Sequence, residues 1–416
     1  MKKLGQNDEL FRVKTLDEAT ALLRPYVLPW YERQENIELD HCLGRLLAKN
    51  VIAVAQIPHF RRSTVDGMAV RASDTFGATE AMPALLQTAG EVRMGQAPSD
   101  ILPQGQGMLI PTGGMLPLGS DAVVMVEHIE DFGDGLRGVT KPVAPGENLI
   151  EPGEDVQVGQ LLLERGHRIR AMEMGLLAAQ GLLEVPVVER IRIGILSSGD
   201  EIVTPGMKPG AAQVRDINGY TLLGQVLATG NIARYYGIAP DQTAAMRESI
   251  RQVLTENDLV LMSGGSSVGA RDLSAQLIAE QGELLFHGLA LRPGKPAIGG
   301  IVDGKIVLGL PGHPASAMVV FDTLVRKLID GTVLRQRQLP DPEGVLTENV
   351  YSGTGREEFV RVRLVRAEDG WRLEPVRGKS GLISTMAMAD GLVHIPLDVE
   401  GLAAGQRVPV RLWRDI

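Results

Sequence analysis

The alternation of apolar and polar positions changes character several times along the chain, and those changes divide it before any motif is read. From Thr15 to Leu23 the apolar residues Leu16, Ala19 and Leu23 share one helical face, with Thr15 placed as an N-cap and Glu18 at capping-box spacing. From about Val51 to Lys141 the helical period gives way to short runs broken by glycine and proline, such as Met108 to Ile110 and Ala122 to Val126, which predict a mostly β insertion. Val156 to Leu163 then reads as a strand and Arg170 to Gln180 as a helix stopped by Gly181, so the first helical unit is expected to be discontinuous in sequence.

Between Ile191 and Asp330 the two periods alternate. Strand patterns at Arg192 to Leu196, Ala233 to Ile238 and Leu259 to Met262 are separated by helical ones at Asn218 to Ala228 and Thr243 to Leu254. This order predicts a parallel, doubly wound sheet with its working loops beyond the carboxyl ends of the strands. Short strands return at Phe359 to Leu364, Trp371 to Pro375, Leu392 to Pro396 and Val408 to Leu412. The expectation is a multidomain α+β and α/β chain. It comprises a discontinuous helical or linker domain over 1–50 and 151–185, a β-rich insertion over 51–150, a doubly wound α/β domain over 186–330 and a C-terminal β domain over 331–416.

Composition narrows the function classes. The 416 residues are 44% hydrophobic and 22% charged, and no apolar run approaches the roughly 20 residues that cross a bilayer. The first nine residues turn acidic where a secretory signal would become apolar, and the single cysteine, Cys42, has no internal disulfide partner. A cytoplasmic protein without a membrane partner is expected. A net charge of -9 argues against a general nucleic-acid binder and leaves a local basic pocket as the place for an anionic small molecule.

Candidate chemistry collects where strands end. Gly264, Gly265 and Gly269 lie between the Leu259 strand and a following helix from Leu273, so backbone amides can approach an anion there, with Ser266 and Ser267 as further donors. The same letters fit a G-x-S-x-G nucleophile elbow with Ser267 as nucleophile, although no spacing singles out His287 or His313 as its partner. Glu201, Asp241 and Asp272 follow three successive strands, and three carboxylates on one rim suit Mg²⁺. Arg292 and Lys295 sit in a segment stiffened by Pro293 and Pro296, and Ser316 falls in the first turn of a helix running to Leu328. In the insertion, Asp66-Gly67 reads as a tight turn and Thr112 as a turn residue. Gly133 to Gly138 matches G-x-G-x-x-G but opens no helix and reads as a hairpin turn. Gly294-Lys295 is no P-loop, because Pro296 stands where a Ser or Thr is needed.

Read together, Leu43-Gly44-Arg45, Pro58 to Val70, Pro111 to Val124, Gly153-Glu154-Asp155, Ser198 to Glu201, Ser263 to Asp272, Pro293 to Pro296 and Gly309 to Ser316 resemble, in order and over nearly the whole chain, one family. It is the molybdopterin molybdenumtransferase family, called MoeA in bacteria and the gephyrin E domain in animals. The resemblance implies four domains, the doubly wound one binding molybdopterin, and a homodimer whose site lies between that domain and the partner's insertion. It implies Mg²⁺-dependent insertion of molybdate into adenylylated molybdopterin, releasing AMP and giving molybdenum cofactor. The upstream molybdopterin adenylyltransferase is then a candidate partner. A tungstate-specialised paralogue and a noncatalytic molybdopterin carrier or assembly scaffold are the alternatives.

By motif position the resemblance assigns Asp66, Thr112, Glu201, Asp241 and Asp272 to catalysis, and Asp155, Glu201, Asp241 and Asp272 to the metal. It assigns Gly264, Gly265, Ser266, Ser267, Arg292, Lys295, Pro296 and Ser316 to substrate or oxyanion, joined by Arg361 and Ser380 of the terminal domain. The chain departs from the family pattern at Met68, Gly114 and His313, and Gly288 stands where lysine is frequent. These departures bear on substrate handling more than on fold.

Overall fold

The computed structural model describes residues 13–99, 101–264, 268–331 and 341–413, with the backbone alone for 268–272. The chain forms two compact units. One comprises residues 1–49, 165–170 and 184–416, and the other residues 50–164 and 171–183.

The larger unit is built on a six-stranded sheet: β1 (Arg192–Ser198), β2 (Ile232–Ala239), β3 (Leu259–Gly264), β4 (Gly282–His287), β5 (Ile298–Val302) and β6 (Lys305–Leu310). Their spatial order is β2-β1-β3-β6-β5-β4. The first four are parallel, and β5 and β4 add an antiparallel edge. Helices α1 (Asn218–Ala228), α2 (Thr243–Glu256) and α3 (Val268–Gln281) make the crossovers, so the doubly wound expectation holds.

The two-residue period of the strands sorts the core. Ile193, Ile195, Leu259, Leu261, Ile306 and Leu308 point to one face, where Leu222 and Val226 of α1 cover them. Leu196, Val260, Met262 and Val307 point to the other, against Met246, Ile250 and Val253 of α2 and Leu277 and Ile278 of α3. The N-terminal helix Leu16–Val27 joins the first face through Leu16, Ala19 and Leu23. Its start is the capping box read from sequence: the Glu18 N–H donates to Thr15 Oγ1 at 3.2 Å, and the Thr15 N–H donates to Glu18 Oε2 at 2.9 Å.

Beyond Asp330 a second, seven-stranded sheet is organised on the long strand Glu357–Ala367. Residues Leu291–Arg292, from the doubly wound part, pair in parallel with its start, placing Leu291 against Glu357 and Arg292 against Glu358. This pairing joins the two sheets beside the functional edge. The helix expected through Leu328, with Pro314 early and Ser316 in its first turn, begins at Pro314, passes through a π turn at Phe321–Val325 and ends with Arg326–Ile329.

The smaller unit contains its own six-stranded sheet, which includes Gly67–Val70, Gln106–Ile110 and Ala122–Met125. Residues 133–138 make the expected hairpin turn, with Asp134 at φ 50° and Gly135 at φ 79°. Two local expectations are corrected. Asp66-Gly67 is not a tight turn: Gly67 opens a strand, and glycine is needed because a Cβ would lie 1.8 Å from the Val124 carbonyl oxygen. Of the strand expected over Val156 to Leu163, only Leu161–Leu163 forms, pairing with Val51–Ile52. The helix Ala171–Ala179 packs with this unit, because the Gln180 side chain accepts hydrogen bonds from the N–H groups of Val54 and Ala55 at 2.8 and 3.1 Å. Among the described residues, no helix is long and apolar enough to cross a membrane.

Thr15→Ala removes one half of the capping box and is expected to cost about 1 kcal/mol. Urea unfolding followed by a probe in the larger unit reads that loss, and an unchanged midpoint would contradict the role given to the cap.

Candidate functional site

From β1 the chain moves to β2 on one side and later to β3 on the other, so the sheet has a topological switch point at the carboxyl ends of β1 and β3. Backbones come very close there. Gly264, with φ at +148°, lies where a Cβ would sit 1.7 Å from the Ser198 carbonyl oxygen, so only glycine fits. Gly265, Ser266 and Ser267 lie outside the described residues, as does the nucleophile of the hydrolase reading. Asp272 falls within α3, its side chain beyond the description.

A carboxylate cluster occupies the β1 and β2 ends. Gly199, at φ +145°, leaves room for the Glu201 carboxylate, which would stand 2.7 Å from a Cβ there. The Asp241 N–H donates to Asp200 Oδ1 at 3.4 Å. Burial first, and then the charges of Asp200 and Glu201, push the Asp241 carboxyl above the usual carboxylate range. Its Oδ1 is buried with no hydrogen-bond partner. Among the described residues none of these three acids forms an ion pair. These are hard oxygen donors, but the three carboxylates do not offer ligand atoms all within 4.8 Å of one another, so they form no ready-made cation cage among the described residues.

A buried polar network, absent from the sequence reading, braces this edge. Asp216 accepts hydrogen bonds from Ser197 Oγ at 2.6 Å, Tyr235 OH at 2.5 Å and the Gly219 N–H at 2.9 Å. Burial and the Asp216 charge push the Tyr235 phenol well up, so it remains a donor. Asn218 Nδ2 donates to Ser263 Oγ at 2.8 Å and to the Gly312 carbonyl at 2.9 Å, tying the start of α1 to β3 and to the loop after β6.

That loop opens into a cavity of about 600 Å³. Arg292, Lys295, Pro296 and Ser316, all expected at an oxyanion, line it together with Ser380. So do His313 and Arg356, which the sequence reading did not place there. Among the described residues no carboxylate lines the cavity. Arg356 Nε is buried without a partner, and Arg292 Nη1 is 3.6 Å from Glu358 Oε2. The Leu289 N–H donates to the Lys295 carbonyl at 2.8 Å, fixing the segment that carries the lysine. Gly288, just before it, has φ +109°, a conformation that disfavours any side chain.

Arg361, expected at the anion, does not line the cavity. Its Nη1 donates to Thr385 Oγ1 at 2.6 Å and its Nη2 to the Gly378 carbonyl at 2.7 Å, so its guanidinium holds the terminal domain's own loop. The cation delivered from that strand's approach is Arg356. The signal separating the two was register: the Arg292–Glu358 pairing brings the residues just before Glu358, and not those after it, to the sheet edge.

In the smaller unit, Thr112 donates to Asp66 Oδ1 from its N–H at 2.7 Å and from its hydroxyl at 2.9 Å. These bonds hold the exposed Asp66 carboxyl below the usual carboxylate range. Asp155 is exposed in the loop whose N–H groups return to the Ile57 carbonyl.

A glycine at the switch point, acids at the β1 and β2 ends and a cation-lined cavity thus gather at the carboxyl ends of the strands of an α/β protein. Comparison with known proteins identifies the family. The model for the MoeA N-terminal region (domain I and II) matches residues 14–181, that of a "Probable molybdopterin binding domain" residues 194–331, and that of the MoeA C-terminal region (domain IV) residues 343–413. The chain is 33% identical over 352 residues to the molybdopterin molybdenumtransferase of Haemophilus influenzae, spanning 83% of this chain and 85% of the relative. It is 32% identical over 390 residues to molybdopterin molybdenumtransferase 2 of Mycobacterium tuberculosis, spanning 91% and 95%. Two solved structures of molybdopterin biosynthesis MoeA proteins from Pyrococcus horikoshii superpose with TM-scores of 0.80 and 0.83 at 34% and 28% identity, each covering 97% of this chain and 100% of the other. The chain belongs to the MoeA family.

A carboxyl whose affinity for protons is raised by folding destabilises the metal-free fold as pH climbs from below the ordinary carboxylate pKa through the raised one. Asp241→Asn is therefore expected to melt above the unsubstituted protein at neutral pH in chelator, with the difference vanishing in acid. Added Mg²⁺ is expected to raise the melting temperature of the unsubstituted protein and to leave the variant unmoved; equal stabilisation of both would remove Asp241 from the metal.

Proposed function

We propose that this chain is a molybdopterin molybdenumtransferase, inserting molybdate into the dithiolene of adenylylated molybdopterin and releasing AMP. The observation that carries the reading is the cation-lined, carboxylate-free cavity opening from the β6 loop, on the same sheet edge as the carboxylate cluster. A doubly charged oxyanion is drawn to the first and a metal-bound phosphoanhydride to the second, so both reactants meet one edge.

Arg292, Lys295 and Arg356 bind the oxyanion with charge-assisted hydrogen bonds, and the buried Ser316 adds a neutral donor. Amides of the glycine turn after β3, with Ser266 and Ser267, receive the phosphate. Glu201 and Asp241, with Asp272 and the neighbouring Asp200, would hold Mg²⁺, which when bound offsets charge developing on the departing AMP. Asp241, whose carboxyl is raised by burial and by the charges of Asp200 and Glu201, is the acid that a bound cation would relieve most. Asp66, kept ionised by the two Thr112 bonds, is a fixed acceptor for a substrate N–H or O–H. We place Asp66, Thr112 and Asp155 in the site through the insertion of a second copy, within a cytoplasmic homodimer whose chains have the four-domain division read from sequence. The upstream molybdopterin adenylyltransferase is the natural donor of the substrate.

Purified protein incubated with adenylylated molybdopterin, Mg²⁺ and molybdate or tungstate is expected to release AMP in step with metal insertion. Pterin binding without AMP release would instead identify a noncatalytic carrier, and release with tungstate alone a tungstate-specialised enzyme. Lys295→Ala is expected to weaken molybdate binding by about tenfold or more, the range for losing a hydrogen bond to a charged group; unchanged affinity would take Lys295 out of the oxyanion site.

A further inference from the structure

The parallel pairing of Leu291 with Glu357 and of Arg292 with Glu358 decides which side chains share a face. Paired residues of neighbouring strands point the same way, and successive residues point opposite ways. Leu291 and Phe359 accordingly enter one core, and Glu357, on that side, is taken by His394, whose Nε2 lies 2.7 Å from its Oε2. Glu358 is turned to the opposite face with Arg292. There the contact is incomplete: Arg292 Nη1 stands 3.6 Å from Glu358 Oε2, beyond hydrogen-bond reach, and that oxygen is buried with no hydrogen-bond partner. The glutamate side chain is 14% exposed and the arginine 54%, so the acid is held in place and the cation has the room to move. Arg292 lines the cavity, and Glu358 stands behind it. Among the described residues, the other two cavity cations, Lys295 and Arg356, have no acidic partner.

We infer that Glu358 is a positioning residue of the oxyanion site that acts through Arg292: it is the resident counter-charge that an arriving oxyanion displaces. The inference rests on reading this cavity as the oxyanion site. A guanidinium offers five N–H donors in a planar fork, so Arg292 can turn toward an anion in the cavity and away from the carboxylate beside it. Were the pair closed to hydrogen-bond distance, the arginine would be committed to the fold. Were there no acid, Arg292, Lys295 and Arg356 would all act unopposed and hold a dianion too firmly to pass it on. The open contact of 3.6 Å lies between these cases. It keeps Arg292 aimed from the strand junction beside the cavity and makes capture an exchange of one carboxylate for one oxyanion, reversed when the anion leaves. No covalent bond changes and no proton moves. Lys295 and Arg356, without such partners, supply the attraction that needs no exchange.

The test is calorimetric titration of molybdate into the full-length protein, unsubstituted and as Glu358→Gln, Arg292→Gln and the double substitution. Glutamine keeps the shape of the glutamate and removes its charge. Glu358→Gln is expected to bind molybdate about three- to tenfold more tightly, the size of one partly buried ion pair, and to melt no lower than the unsubstituted protein. In the weaker-binding Arg292→Gln background the same change is expected to alter affinity by less than about twofold. Glu358→Asp, which draws the carboxylate back from Arg292, is expected to fall between. In the insertion assay Glu358→Gln is expected to lower the KM for molybdate by a like factor and kcat with it, the pattern of a ground state held more tightly. Unchanged or weaker binding in both Glu358 variants would overturn the inference. So would equal tightening with and without Arg292, which marks a general field effect and not an exchange. Molybdate binding that Arg292→Gln leaves unchanged, or that no form shows, would overturn the cavity reading itself, and this inference with it.

Discussion

The buried amide of Asn218 holds the working edge of this protein together. Its Nδ2 reaches both Ser263, at the end of β3, and the Gly312 carbonyl, in the loop after β6. One of these segments ends the strand β3, and the other lines the cation-bearing cavity. Acids and bases that met directly would neutralise each other as ion pairs. Here acids gather at the β1 and β2 ends and cations in the cavity, while the hydrogen bonds of Asp216 and Asn218 brace the strand ends. The acids at the β1 and β2 ends keep part of their repulsion, which together with burial raises the Asp241 carboxyl.

The second support is steric. Gly264 lets β3 approach the Ser198 carbonyl more closely than any side chain permits, and Gly199 makes room for Glu201. The strands therefore deliver their loops to one rim. The parallel pairing of Arg292 with Glu358 then adds Arg356 from the terminal sheet, so the cavity draws its cations from segments more than sixty residues apart in sequence.

Much of this was legible in the sequence because each signal was local. Short apolar strand patterns alternating with helical ones marked β1 to β3, three-residue spacing marked the capping box, and the basic segment at Arg292 announced its own charge. What stayed hidden depended on partners remote in the chain. Asp66-Gly67 resembles a turn until Val124 is seen pressing against the glycine. Arg356 and Arg361 are equivalent in a one-dimensional reading, and only strand register shows that one faces the cavity while the other braces Thr385 and Gly378. Asp216 and Asn218 carried a signal that went unread: an acid just ahead of a helix and an amide at its first residue are strong candidates to bind backbone and neighbouring loops. The departure at Gly288 also acquires a physical reason, since its φ of +109° suits glycine and disfavours the lysine frequent in the family.

The central claim is that a tetrahedral oxyanion sits among Arg292, Lys295 and Arg356. Tungstate soaked into crystals of the protein reports this most directly, because its heavy atom yields an anomalous peak without any assumption about turnover. A single dominant peak within hydrogen-bonding reach of those three cations is the predicted result. A peak elsewhere on the molecule, with this cavity empty at saturating tungstate, would contradict the account.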